Sequence, residues 1–235
     1  MSRIPLVLLP GLLCDRALWQ AQIDALADVA DIQVADLTQA DTLAGLAESV
    51  LARAPARFML AGLSMGGYLT FEILRRARSR VMRVALLDTS ARADTPEQKR
   101  RRGMFVAHAK RGKFKGVTPQ LIQNWVSPKS IARDPAIVAA VQEMTLRVGA
   151  DAFCRQQAAI MERPDSRPEL GLIQCPALVL CGREDAATPL ELSREMAADI
   201  PSAQLVVLEE CGHLATMEKP AETSAAMRRW LLADV

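Results

Sequence analysis

Histidine is nearly absent: the 235-residue chain has two, His108 and His213. A three-histidine zinc site is therefore excluded, and no HExxH, CxxC or EF-hand loop takes its place. No metal and no cofactor are expected. Aromatic residues are also scarce, at 4%, and 29 Lys+Arg face 27 Asp+Glu. That near balance excludes a generally basic, nucleic-acid-binding surface. Cysteine is present five times, an odd number without regular spacing, so Cys14, Cys154, Cys175, Cys181 and Cys211 do not form a disulfide framework. Reduced thiols suit a reducing compartment, and a cytoplasmic location is expected. Long apolar runs are missing as well. Nothing approaches the ~20 residues of a membrane span. The early run MSRIPLVLLPGLL is short for a signal peptide and is interrupted by Pro10 and Gly11.

What the chain does have is length and hydrophobicity. Half of its residues are hydrophobic, and a domain of this size buries roughly 70–75% of its unfolded surface. The apolar residues come in two alternating patterns. Short continuous runs at Ile4–Leu9, Ile32–Asp36, Phe58–Ala61, Val84–Leu87, Ala177–Leu180 and Leu205–Leu208 read as strands, the first of them suited to burial on both faces. Between them, apolar residues recur at three- and four-residue steps. Leu18, Trp19, Ile23, Leu26 and Val29 mark one helix, and Leu43, Leu46, Val50 and Leu51 a second that stops near Pro55. Further helices follow Gly67, span Leu190–Ile200 and begin at Pro220. Strand alternating with helix predicts an α/β fold: a mostly parallel, doubly wound sheet of about six strands.

The alternation breaks between about Ser90 and Leu172. Ile137, Val138, Val141, Met144 and Val148 form one helical stripe there, and Phe153, Ile160 and Met161 begin another. We expect a core of residues 1–90 and 172–235, with residues 91–171 forming a helical cap. Ligands bind at the carboxyl ends of parallel strands, so the cap would roof a pocket.

The chemistry-bearing residues fall at those strand ends. Gly62-Leu63-Ser64-Met65-Gly66 is a GxSxG pattern between a strand and a helix, the setting in which a sharp turn projects a serine hydroxyl above the sheet. A serine hydroxyl needs a base to take its proton. His213, after the last strand, is the candidate, whereas His108 lies among Lys and Arg in the presumed cap and reads as a solvated or packed cap residue, with pocket lining as the alternative. The base needs an acid to orient it. Asp185, after the fifth strand, ranks above its neighbour Glu184 and above Asp88, which reads as a turn or cap residue beside Thr89 and Ser90.

The order Ser64, Asp185, His213 matches the nucleophile–acid–base order of the α/β-hydrolase fold. Nearly the whole chain resembles a compact member of that superfamily. Leu8-Leu9-Pro10-Gly11 with Trp19 resembles its oxyanion loop and following helix, Gly62–Gly67 its nucleophile elbow, Gly182–Pro189 its acid loop, and Gly212-His213 with Glu218-Lys219-Pro220 its base loop. The cap-bearing esterases, enol-lactonases and carbon–carbon bond hydrolases are the most similar groups. The resemblance implies an oxyanion hole made by the backbone N–H groups of Leu12 and Met65. Two departures stand out. Pro10-Gly11 replaces the usual His-Gly, whose histidine supports the oxyanion loop, and only three residues precede Ile4, so the strands that usually come first in the family are not expected.

From Lys99 to Lys115 the chain carries eight cations and no acid. A solvated helix face accounts for them. The alternative is a docking surface for an acidic acyl donor such as a carrier protein or a coenzyme A ester. Nucleic acid is not expected, because only Phe105 and Phe114 are interleaved. The expected activity is cofactor-independent hydrolysis of small or medium apolar carboxylic esters through an acyl-enzyme on Ser64. Lactonase, thioesterase, perhydrolase and carbon–carbon hydrolase chemistry on the same residues are alternatives, as is a non-enzymatic small-molecule receptor.

Overall fold

The first strand, β1 (Ile4–Leu9), shows how the sheet is built. Its even residues Leu6 and Leu8 pack on one side of the sheet and its odd residues Val7 and Leu9 on the other, all fully buried. Period-two geometry sends alternate side chains to opposite faces, so a strand covered on both sides must be apolar throughout. The same division holds for β3 (Phe58–Leu63), for β5 (Ala177–Gly182) and for β4 (Val81–Leu87) from Val84 onward; before that the register with β3 shifts, and β4 also carries the buried Arg83. The computed structural model describes residues 3–233.

With β2 (Ala30–Val34) and β6 (Ala203–Leu208), these strands form one six-stranded sheet in the order β2-β1-β3-β4-β5-β6. Every pairing is parallel. The edge strands are the least buried, as their half-solvated position allows. β2 lies two residues earlier than its sequence pattern suggested. Its register runs from Ile4 opposite Ala30 to Leu8 opposite Val34, and Asp36 instead accepts hydrogen bonds from the Thr38 amide and hydroxyl in the turn that follows.

One face is covered by α1 (Gln20–Leu26), α9 (Ala215–Glu218) and α10 (Pro220–Leu232), which contribute Leu26, Ala215, Met227 and Trp230. The other is covered by α2 (Leu43–Arg53), α3 (Met65–Ala77) and α8 (Leu190–Asp199), through Leu46, Leu69 and Met196.

Between β4 and β5 the chain is helical: α4 (Pro96–His108), α5 (Pro119–Ile122), α6 (Pro128–Arg133) and α7 (Ala136–Met161). The two apolar stripes read from the sequence are the two halves of α7, which meet at Gly149 with φ 81°. α4 buries none of its residues. Its Arg102 is not a solvated cation, however. It turns inward to the buried Asp94 at 2.6 Å and to Gln157 at 2.9 Å.

The strand order reverses between β1 and β3, the place where an open parallel sheet offers a ligand a crevice. Because all six strands are parallel, the segments after β1, β3, β4, β5 and β6 emerge on the same edge.

Candidate active site

Ser64 sits where β3 turns into α3, at φ 54° and ψ −113°. A non-glycine residue at positive φ is costly, and it persists only when its surroundings over-determine it. Here they do. The Ser64 amide donates to Leu87 O at 3.0 Å, and its carbonyl accepts from Gly67, Tyr68 and the Thr89 hydroxyl. The flanking glycines permit the close approach that the turn requires. A Cβ on Gly62 would lie 2.3 Å from Gly66 O, and one on Gly66 would lie 2.1 Å from Leu9 O. Both obstacles are backbone.

The Ser64 Oγ lies 2.9 Å from His213 Nε2. On the other side of the ring, His213 Nδ1 lies 2.8 Å from Asp185 Oδ2. Histidine and aspartate are both buried, while Ser64 is half-buried. The Asp185 carboxylate also accepts from the amides of Ala187 and Thr188 and from the Thr188 hydroxyl. Burial alone would raise its pKa. The charge and hydrogen bond of His213, with the Thr188 donors, outweigh burial and hold it below the usual carboxylate range. An ionised carboxylate can only accept, so Nδ1 carries a ring proton, and in the neutral imidazole Nε2 presents its lone pair to the serine hydroxyl.

The competing acids are elsewhere. Glu184 is exposed, with Lys129 at 3.7 Å. Asp88 is fully buried, and its two oxygens accept from the amides of Gly182 at 2.9 Å and Ala215 at 3.1 Å. It joins the end of β5 to the start of α9 rather than reaching the imidazole, which is more than the turn or cap role read for it. Burial, and then repulsion from Asp185, push its pKa well above the ordinary range. His108 is exposed at the end of α4.

Leu12 lies on the loop after β1 and Met65 at the start of α3 after β3, two neighbouring strands that pair as far as Leu9 with Gly62. Met65 opens α3, so the helix gives its N–H no internal acceptor. Among the described residues no three His, Cys, Asp or Glu side chains converge as metal ligands.

Two supporting residues had weak signals in the sequence. Glu218 was legible only as part of a resembling loop, yet its buried carboxylate accepts from the amides of Gly212, Leu214 and Ser127. Thr188 was not singled out; a hydroxyl three residues after a candidate aspartate is the signal that would have found it.

Comparison with known proteins extends this geometry. A family model described as the alpha/beta hydrolase family matches residues 6–226. The solved structure of a thermophilic esterase from Thermogutta terrifontis superposes with a TM-score of 0.90 at 31% identity, covering 98% of this chain and 90% of that one. The dihydrolipoyllysine-residue acetyltransferase component of an acetoin cleaving system from Pseudomonas putida is 30% identical over 97% of this chain, which spans 63% of that protein's length. The pimeloyl-[acyl-carrier protein] methyl ester esterase of Nitrosomonas europaea is 24% identical, over 92% of this chain and 91% of that protein.

Proposed function

Since the chain belongs to the alpha/beta hydrolase family, we propose that it is a serine hydrolase of carboxylic esters acting through an acyl-enzyme on Ser64. The observation that carries this reading is the continuous relay from Ser64 Oγ through His213 to Asp185, at 2.9 and 2.8 Å. The esterase from Thermogutta terrifontis supports the ester class.

In this mechanism His213 Nε2 takes the Ser64 proton as Oγ attacks the ester carbonyl carbon. The carbonyl π electrons move to oxygen, and the oxyanion is held by the Leu12 and Met65 amides, each worth about 3–4 kcal/mol to that state. Asp185 stabilises the imidazolium. Collapse expels the alkoxide, which takes the proton from Nε2 and leaves as alcohol. Water then gives a proton to His213 and attacks the acyl carbon through a second oxyanion, and Ser64 recovers its proton as the acid departs.

Residues 91–171 act in this reading as a helical cap over the site, and their Leu, Met, Ile and Val side chains suit a small or medium apolar acyl group. Arg100, Arg101, Lys110, Arg111, Lys113 and Lys115 are exposed along one part of that cap. They support an acidic acyl donor such as a carrier-bound ester, the class named for the Nitrosomonas relative. The five unpaired cysteines support a reducing, cytoplasmic setting.

The test is fluorophosphonate labelling, followed by turnover of p-nitrophenyl esters, lactones and acyl thioesters by wild type and Ser64→Ala. We expect an adduct on Ser64, preference for esters, and a loss of at least about a thousandfold in turnover in the variant. A folded protein that forms no adduct is a non-enzymatic binder. Preference for lactones or thioesters moves it to another hydrolase class.

A further inference from the structure

We propose that Gln156, on the second half of α7, is the positioning residue of the oxyanion loop, and that through it the helical segment sets the direction of the Leu12 amide. The inference rests on the serine-hydrolase reading above and assigns that same site a part from outside the sheet.

Gln156 is fully buried. It follows Ala152 and Phe153 and precedes Ala159 and Ile160 on the buried side of α7, where packing alone would select an aliphatic side chain. A buried primary amide at such a position must satisfy both of its ends. Oε1 accepts from the Leu13 amide at 2.9 Å, and Nε2 donates to Leu37 O at 3.1 Å. One partner is an N–H and the other a C=O, on the loops after β1 and β2. Only a side chain with an acceptor and a donor at one reach can bridge them. An ionised glutamate lacks the donor, and a methionine or leucine of matching bulk lacks both.

The residue so held is itself strained. Leu13 has φ 59°, in the region that leucine rarely adopts. Residue 10 offers no help, because Pro10 has neither an N–H nor a polar side chain. Within the loop, the Cys14 amide donates to Gly11 O at 3.1 Å and closes a turn around Leu12 and Leu13. The peptide that carries the Leu12 N–H lies inside that turn, so fixing Leu13 fixes its orientation. Arg155 Nε donates to Thr38 O at 2.7 Å, anchoring the same stretch of α7 to the same β2–α2 loop. Two adjacent residues thus tie α7 to the carboxyl end of the sheet.

The test is Gln156→Leu, with kcat, KM, thermal melting and inhibition by a phenylboronic acid, whose tetrahedral adduct on Ser64 places oxygen at the oxyanion position. Losing a whole oxyanion donor costs about 10²–10³ in kcat, so misdirecting one is expected to lower kcat roughly ten- to a hundredfold. KM should change by less than about threefold, and boronate affinity should fall in step with kcat/KM. Gln156→Glu keeps an acceptor for Leu13 and is expected to recover most of the lost kcat. A folded Gln156→Leu protein with wild-type kcat overturns the proposal, as does a Gln156→Glu protein no better than the leucine variant. Should neither Gln156→Leu nor Gln156→Met fold while Gln156→Glu folds and turns over, Gln156 serves the fold alone and the positioning role is lost. Ser64→Ala separates the two levels: if it stays active, the serine-hydrolase reading itself fails, whatever Gln156 does.

Discussion

Glu218 never touches the His213 ring, yet it grips the chain on either side of it. Its carboxylate accepts from Gly212 at 2.9 Å and from Leu214 at 3.0 Å, and also from Ser127 at 2.8 Å. The His213 amide in turn donates to Trp125 O at 2.8 Å, and Arg133 donates to the Glu218 carbonyl at 2.8 Å. The loop bearing the imidazole is therefore clamped between α9 and the helical segment before β5. Three amides converge on one buried carboxylate that, among the described residues, forms no ion pair.

Removing that clamp has a measurable cost. Glu218→Ala leaves three buried N–H groups without acceptors, at about 1–3 kcal/mol each. A loss of at least about 3 kcal/mol corresponds to a melting temperature lower by roughly 6–12 °C for a chain of this length. Turnover should fall as well, since the ring loses its fixed position relative to Ser64. Unchanged melting and kcat would show that the clamp is redundant.

Asp185→Asn keeps the shape of the acid and removes its charge. An amide at this position favours the wrong imidazole tautomer, so kcat is expected to drop by about 10³–10⁴, with KM little changed. The pKa of Asp185 is lowered in the folded protein, so its contribution to stability is present above the ordinary carboxylate value and is lost as pH falls through the folded one. Chemical denaturation between pH 7 and 3 should show a shallower acid dependence in the variant. An equally steep decline would mean that Asp185 is not the group responsible.

Asp88 carries the opposite sign. Its folded pKa is raised, so the folded protein binds the proton more tightly than the unfolded chain. The stability this provides is complete below the ordinary carboxylate value and is lost as pH rises through the raised folded value. Asp88→Asn removes the titration. The stability of the variant relative to wild type should therefore climb as pH increases from 4 to 8, whatever the lost Ala215 hydrogen bond subtracts uniformly. A constant difference across that range would contradict the assignment.

The exposed cations can be tested without disturbing the fold, provided Arg102 is left alone because of its contact with Asp94. Arg100→Glu combined with Arg101→Glu should raise KM for an acidic carrier-bound ester several-fold at low salt, with the effect fading as the Debye length shrinks toward about 3 Å at 1 M. KM for a neutral p-nitrophenyl ester should not move. Identical kinetics with the acidic donor at low salt would return the stretch to an ordinary solvated face.

Much of this molecule was legible in the order of its residues. Runs such as Ile4–Leu9 and Ala177–Leu180 read as strands because they are too short for helices and are bounded by proline or glycine; that Leu205–Leu208, just as apolar, lies at the edge of the sheet was not legible in its composition. Their alternation with helical stripes implies parallel pairing, and parallel pairing gathers Ser64, Asp185 and His213 at one edge of the sheet. Local rules suffice for that much. They do not reach the contacts made across the fold. Asp88 as a strut between β5 and α9, Glu218 as a clamp on the base loop, Arg102 drawn inward and Gln156 bridging Leu13 and Leu37 all depend on where a polar side chain ends up after packing. A buried donor or acceptor must find a partner, but that partner stands up to 143 residues away in the Gln156–Leu13 pair. No periodicity in the chain encodes such a distance; only the assembled core brings the two groups within reach.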